Sequence, residues 1–276
     1  MAEVERPFRR ILIANRGEIA VRVIRACREM EIESVAVYSD VDRDSGHVRT
    51  ADRAVRIGPA PALESYLRAD RIIEAAIATG AEAIHPGYGF LSERASFAAA
   101  VEAAGLVFIG PDSRVIAAIG DKLAARRAAR SVGVPVVPGT LEAATIDEPA
   151  GLRSIQRAAA AIGYPLLVKA AAGGGGRGMR RVEGPQELGA ALRAGSAEAA
   201  AAFGDGAVYI EREIGRARHI EVQLLGDASG RVVALGERDC SIQRRHQKLI
   251  EEAPAGRLSV AERRQVHDMA VRIASA

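Results

Sequence analysis

Tryptophan is missing from this 276-residue chain, and Phe, Tyr and Trp together make up only 4% of it. Binding to single-stranded nucleic acid wants rings stacked along a basic groove. Here the basic pairs Arg126-Arg127, Arg180-Arg181 and Arg244-Arg245 are scattered, and the net charge is only +3. That excludes a basic stripe and suits small anionic ligands. Cysteine is also scarce. Cys27 and Cys240 have no metal-ligand spacing and could close at most one bond. A reduced, cytoplasmic compartment is therefore expected, with neither a disulfide framework nor a cysteine-based zinc site. No apolar run approaches the ~18 residues that a membrane span requires. Met1 to Arg10 carries Glu3 and Glu5 and no apolar core, so no secretory or transit peptide is indicated. What remains, 49% hydrophobic and 26% charged residues, is the composition of a globular protein long enough for about two domains.

Glycine, by contrast, is concentrated where it matters. Leu166, Leu167 and Val168 suit a buried strand, Lys169 ends the run, and glycines occupy 173–176. Met179 to Val182 then resumes as a second strand. A glycine run between two strands bares backbone N–H groups to phosphate oxygens, and Lys169 adds a positive charge beside them. Gly173, Gly175 and Gly178 fit the dinucleotide pattern, but strand rather than helix follows. A P-loop would have Lys and Ser or Thr directly after its last glycine, where Met179 stands. Strand, glycine hairpin and strand, with lysine on the strand, is closer to the flap over ATP phosphates in kinases. The structural alternative is a glycine-rich hairpin tip without a ligand.

Before this stretch, strands and helices alternate. Arg10 to Ala14, Ser34 to Ser39, Val55 to Ile57, Ala83 to His85 and Leu106 to Ile109 read as strands. Helices are expected after Gly17, with Ile19, Val23 and Met30 marking the apolar side, and over Asp70–Thr79 and Ser92–Ala104. A parallel sheet covered on both faces follows. Asp40 to Ser45 reads as a charged loop. Asp121 can cap a helix that carries Lys122, an unfavourable position for a cation unless an anion lies nearby. A helix is expected from about Ser154 to Ile162 and another from Pro185, closed by Gly204. Around the glycine hairpin this makes a small two-layer module able to swing as a lid. Val208 to Ile210 is a strand leading into Glu211, Arg212, Glu213 and Ile214. Alternation from His219 to Leu224 puts Ile220, Val222 and Leu224 in a core, with His219, Glu221 and Gln223 opposite. Glu237 to Lys248 reads as a polar loop or site. Ser259 and Glu262 form a capping box for a last helix whose stripe of Val266, Met269 or Ala270, and Ile273 has no strand to cover. That suggests a domain cut short.

Tyr164 to Lys169, the glycine run and Arg177-Gly178-Met179 resemble the ATP-grasp signature of biotin-dependent carboxylases and carbamoyl-phosphate synthetases. Ile13 to Ala20, His85 to Glu93 and Glu237 to Lys248 are similar to biotin carboxylase in particular, over roughly the first three-fifths of that enzyme. The resemblance implies an α/β fold. A Rossmann-like parallel-sheet domain over 1–120 would be mainly scaffold, with a linker helix over 121–136. An ATP-grasp lid over 137–213 and the start of an α+β ATP-grasp core over 214–276 would follow. It implies ATP contacts from Lys122, Lys169, Gly174, Gly175, Gly176, His219, Gln243 and His246, and adenine contacts from Glu211, Arg212, Glu213 and Ile214. The Glu211 carboxylate would accept from the adenine amino group. Lys248 would be catalytic, placing bicarbonate by the γ-phosphate.

The activity implied is cleavage of ATP with bicarbonate to carboxyphosphate, then transfer of CO₂ to carrier-bound biotin. Mg²⁺, or Mn²⁺ in its place, would assist, held by carboxylates and an asparagine that lie beyond Ala276 in the family. This stretch alone is then expected to turn over negligibly. The partners implied are a biotin carboxyl carrier domain or protein, a carboxyltransferase subunit and a second copy in a homodimer, with no nucleic acid and no membrane. Another ATP-grasp ligase, such as a carbamoyl-phosphate synthetase half, and a non-catalytic assembly module are the alternatives.

Overall fold

The computed structural model describes residues 7–172, 179–227, 229–244 and 247–276, in two compact units, Met1–Gly120 and Asp121–Ala276. The first unit runs β1 (Arg10–Ile13), α1 (Gly17–Glu29), β2 (Glu33–Ser39), α2 (Gly46–Thr50), β3 (Arg53–Gly58), α3 (Ala69–Thr79), β4 (Ala83–His85), α4 (Ala95–Ala103), β5 (Val107–Phe108) and α5 (Ser113–Gly120). Its five strands are parallel in the order β3-β2-β1-β4-β5. Both faces of the sheet are buried, which is why β1 is apolar without alternation. Leu12 joins Val35, Val37, Ile72 and Phe97 on one side, while Ile11 and Ile13 pack with Ala20, Val23, Ile24 and Cys27 on the other.

Several local expectations change. The buried side of α1 is Ala20, Val23, Ile24 and Cys27; Met30 is the C-cap, past the last turn, and stays exposed. The charged loop after β2 is a 3₁₀ turn followed by α2, a helix too short to leave a periodic signal. α4 starts three residues later than its apolar pattern, at Ala95, and α5 is additional.

At the ends of β1 and β4, where an open α/β sheet presents its crevice, Asn15 closes the opening. Its Nδ2 donates to the carbonyls of Pro86 (2.9 Å) and Tyr88 (2.8 Å). Gly87 has φ +65°, and a Cβ there would lie 2.6 Å from that amide nitrogen, so only glycine allows the turn. His85 Nδ1 accepts from the Gly87 N–H (3.0 Å), and burial holds its pKa below the usual histidine value.

The second unit contains α6 (Lys122–Ser131), α7 (Pro149–Ile162), β6 (Leu166–Ala170), β7 (Arg180–Val182), α8 (Pro185–Phe203), β8 (Val208–Arg212), β9 (Ile220–Gly226), β10 (Val232–Arg244), β11 (Gln247–Glu252) and α9 (Val260–Ala274). β7-β6-β8 form an antiparallel sheet. Leu166, Val168, Val182, Val208 and Ile210 face α7 and α8, meeting Ile155, Ala159, Leu188 and Leu192. α7 begins five residues before its expected start, with Pro149 in its first turn, where a missing N–H costs nothing.

β9, β10 and β11 form a second antiparallel sheet, so the stretch from Glu237 to Arg244 is the body of a long strand rather than a loop, and Gln247 and Lys248 begin the next strand. Ile220, Val222 and Leu224 are only half-buried, because neither face of this sheet is fully covered. α9 does have strands beneath it, contrary to the apolar-stripe expectation: it packs on β9 and β10. Its capping box is formed by Ser259 and Glu262.

The main polar anchor of α9 is Glu237, whose side chain is 1% exposed and accepts from Arg263 Nε (2.6 Å) and His267 Nε2 (2.7 Å). Chiefly the Arg263 hydrogen bond holds its pKa below the usual glutamate value. A depressed carboxylate stabilises the fold above about pH 4.3 and loses that contribution as pH falls through its folded pKa. Glu237→Ala should therefore cost about 2–3 kcal/mol, less than a fully buried pair because Arg263 is partly in water. Faster hydrogen exchange along α9, with a flatter acid dependence, would register the loss; unchanged protection would refute it.

Candidate functional site

The face of β7-β6-β8 away from α7 and α8 carries the first constellation. Strand alternation that sends Val168 and Ile210 to the core turns Lys169, Tyr209 and Glu211 the other way. α6 supplies the remaining charges. Asp121 Oδ1 accepts from the N–H groups of Leu123 (2.8 Å) and Ala124 (3.0 Å), fixing the start of the helix. Lys122 sits in its first turn and Arg126 one turn later on the same side.

These elements meet at Glu211, which is buried. Arg126 Nη1 donates to Glu211 Oε2 (2.7 Å), and Lys169 Nζ donates to Oε1. The segment before α7 seats the arginine. Arg126 Nη2 donates to the Val137 carbonyl (2.6 Å), and Gly139 pairs with Glu211 as an extra edge of the sheet. A Cβ on Gly139 would lie 2.9 Å from Arg126 Nη2 and 2.6 Å from the Ile210 carbonyl, so this approach requires glycine. Burial, then the charges of Arg126 and Lys122, hold the Lys169 pKa below its usual value; burial does the same for Lys122. Cations desolvated together gain when an anion arrives, which is the electrostatic signature of a phosphate or carboxylate site.

At the end of β8 the backbone is partly committed. Arg212 N–H donates to the Pro138 carbonyl (2.7 Å) and Glu213 N–H to that of Pro165 (3.0 Å). The Glu213 side chain pairs with Arg181, while Ile214 is exposed.

The second constellation lies on β9-β10-β11 and centres on Glu221. Lys248, on β11, reaches across β10 to donate to Glu221 Oε2, and Arg238 Nη2 donates to Oε1 (3.1 Å). These partners, Lys248 foremost, lower the Glu221 pKa to about 2. Gln243 Nε2 donates to His219 Nδ1 (2.7 Å) and to the Cys240 carbonyl (2.8 Å). Since a carbonyl only accepts, the amide orientation follows, and His219 must keep its proton on Nε2, which faces Glu221 at 3.5 Å. Irregular pairing between β10 and β11 brings Gln243 opposite Lys248.

Of the residues singled out from sequence, Lys122, Lys169 and Glu211 gather in the first constellation, and His219, Gln243 and Lys248 in the second. Arg212, Glu213 and Ile214 follow Glu211 on the chain. Gly174, Gly175, Gly176 and His246 lie outside the described residues. Arg126 and Glu221 were missed as site residues. Neither could be found by periodicity, because each is defined by a partner from another element. Among the described residues, no group of three or more His, Cys, Asp or Glu side chains is arranged to hold a metal ion. No helix of the described chain is long and apolar enough to cross a membrane.

Residues 7–116 match the family model described as biotin carboxylase, N-terminal domain, and residues 121–276 that described as carbamoyl-phosphate synthase L chain, ATP binding domain. A biotin carboxylase of Pseudomonas aeruginosa is 50% identical over 93% of this chain and 56% of its own. The Campylobacter jejuni biotin carboxylase–βγ-ATP complex is 46% identical, with a TM-score of 0.91 over 97% of this chain and 59% of its own. The biotin carboxylase domain dimer of Hydrogenobacter thermophilus 2-oxoglutarate carboxylase was solved with MgADP, ADP and bicarbonate. It matches at 46% identity and a TM-score of 0.88, over 97% of this chain and 58% of its own. The chain spans between 36% and 58% of the length of the curated relatives it matches.

A parallel five-stranded unit followed by a second unit with two antiparallel three-stranded sheets, matched by these solved structures, places the chain in the ATP-grasp class. Within it, the chain belongs to the biotin carboxylase family.

Proposed function

We propose that this chain is the nucleotide- and bicarbonate-handling part of a biotin carboxylase, an ATP-dependent ligase. The observation that carries this reading is the Glu211 cluster, in which Lys169 and Arg126 share one buried carboxylate and Lys122 is near enough to depress Lys169 further. Phosphoryl transfer asks a protein mainly for positioning and for positive charge on the transferring group. Lys122 and Lys169 supply that charge, and backbone amides of the glycine run would add donors. The Ile214 end of β8 would read the adenine edge, since the N–H groups of Arg212 and Glu213 are used within the fold. The Glu211 carboxylate retains lone pairs beyond those that accept from Arg126 and Lys169.

The Glu221 cluster serves the other substrate. A lysine ammonium has three donors, so Lys248 can stay on Glu221 and still hold bicarbonate. His219 and Gln243, hydrogen-bonded to each other, would contact the nucleotide beside it, together with His246. A bicarbonate oxygen would attack the γ-phosphorus, and ADP would leave. Carboxyphosphate would then break down to CO₂ and phosphate, and CO₂ would bond to N1′ of biotin on a carrier domain as that nitrogen gives its proton to the released phosphate, ahead of a carboxyltransferase partner, in a cytoplasmic homodimer. Magnesium, held by carboxylates together with the phosphates themselves, would neutralise polyphosphate charge in such a reaction.

The test is ATP cleavage by the intact protein with bicarbonate present. Free biotin should raise the rate, and ammonia should not. Stimulation by ammonia instead would assign the site to a carbamoyl-phosphate-type ligase, and no nucleotide binding at all would leave only an assembly role.

A further inference from the structure

In the sequence, Arg126 is half of a scattered basic pair; in the fold, its guanidinium is built into the floor of the site. One arm of the fork holds Glu211 and the other the Val137 carbonyl, and Nε is buried without a hydrogen-bond partner. A guanidinium anchored at both arms, in a gap left by Gly139, is a fixed charge that does not deprotonate. Lys169 differs. It is a single ammonium on a flexible stem, bonded to the same carboxylate.

Lys169 is the more accessible partner of that pair, its side chain 29% exposed against 9% for Glu211, and its ammonium can turn from the carboxylate toward a phosphate. A buried carboxylate left without a cation is strongly unfavourable, so something must stay behind. We propose that Arg126 is a positioning residue for the nucleotide: it keeps Glu211 charge-compensated and in place while Lys169 moves from that carboxylate to the polyphosphate. This rests on reading the cluster as an ATP site. Among the described residues, the other charged or titratable groups on this face are accounted for. Lys122 lies one turn before Arg126 on α6, and Tyr209 lies two residues before Glu211 on β8. Arg181, on β7, is engaged by Glu213 and Glu183.

Without Arg126, Lys169 could leave only if Glu211 took up a proton. Calorimetric titration of the intact protein with a non-hydrolysable ATP analogue, in buffers of different ionisation enthalpy, reads this directly. The wild-type protein should bind with little proton uptake by Glu211. Arg126→Met should take up about one proton per analogue bound, and its affinity should fall by up to about tenfold per pH unit as pH rises. Adenosine, which has no phosphate to draw Lys169 away, should bind both proteins equally. Arg126→Lys should restore pH-independent binding. The double variant Arg126→Met, Glu211→Gln should bind the analogue without proton uptake and with its pH dependence removed, and it carries the test if the single variant folds poorly. Wild-type affinity without proton uptake in Arg126→Met would overturn the proposal. So would an equal loss for adenosine and analogue, since Arg126 would then be only structural. A wild-type protein that binds neither compound would instead sink the ATP-site reading, and the proposal with it.

Discussion

Lys169→Ala is expected to leave the second unit folded and to lower ATP turnover by about 100- to 1000-fold in the intact protein, the loss typical of removing one preorganised group from a developing charge. The fold survives because Arg126 remains on Glu211 at 2.7 Å, so the carboxylate is not stranded. Turnover does not, because the ammonium that would neutralise the phosphate is lost. The readout independent of turnover is thermal stability. A non-hydrolysable ATP analogue at 100 times its Kd stabilises a folded protein by about 2.7 kcal/mol. That increment should appear in the wild-type protein and vanish in Lys169→Ala. An undiminished increment would show that the triphosphate is held elsewhere.

The second large effect falls on the other sheet. Lys248→Met should lower bicarbonate-dependent ATP cleavage by a similar factor of about 100 or more while leaving nucleotide affinity within a few-fold of wild type. The division follows from position, since Lys248 belongs to the Glu221 cluster and Lys169 to the Glu211 cluster. Lys248 is also the largest cause of the low Glu221 pKa, with Arg238 next among the charged partners. A depressed carboxylate contributes stability above about pH 4.3 that is lost as pH falls toward its folded pKa. In wild type that window reaches down to about 2. In Lys248→Met it should narrow from the acid side, because the largest of the lowering contributions is gone and Arg238 is the next. An NMR titration of the Glu221 carboxyl carbon checks this; an unmoved pKa, or an equal loss of nucleotide affinity, would contradict the assignment.

Much of the local structure could be read in advance because its causes are local. An apolar run with no alternation made β1 a doubly buried strand, and Asp121 and Ser259 capped their helices through atoms two or three residues away. The face of β6 that carries Lys169 followed from strand period alone. Where the reading failed, the cause was not local. Glu237 to Lys248 reads in the sequence as a polar loop or a site, because its charges resemble a solvated surface, yet Glu237 is buried and Val232–Arg244 is one long strand. The stripe on α9 was assigned no strand to cover, while its polar residues Arg263 and His267 dock it on β10.

The amino-acid sequence by itself determined the α/β class, the parallel first unit and the lysine before the glycine run, since hydrophobic period and turn chemistry act over a few residues. Tertiary structure alone decided which charges share a site. Arg126 meets Glu211 across 85 residues and Lys248 meets Glu221 across 27. A charged side chain leaves no periodic trace of its partner. Whether it is solvated or buried depends on which remote segment comes to neutralise it, and only the folded chain makes that choice.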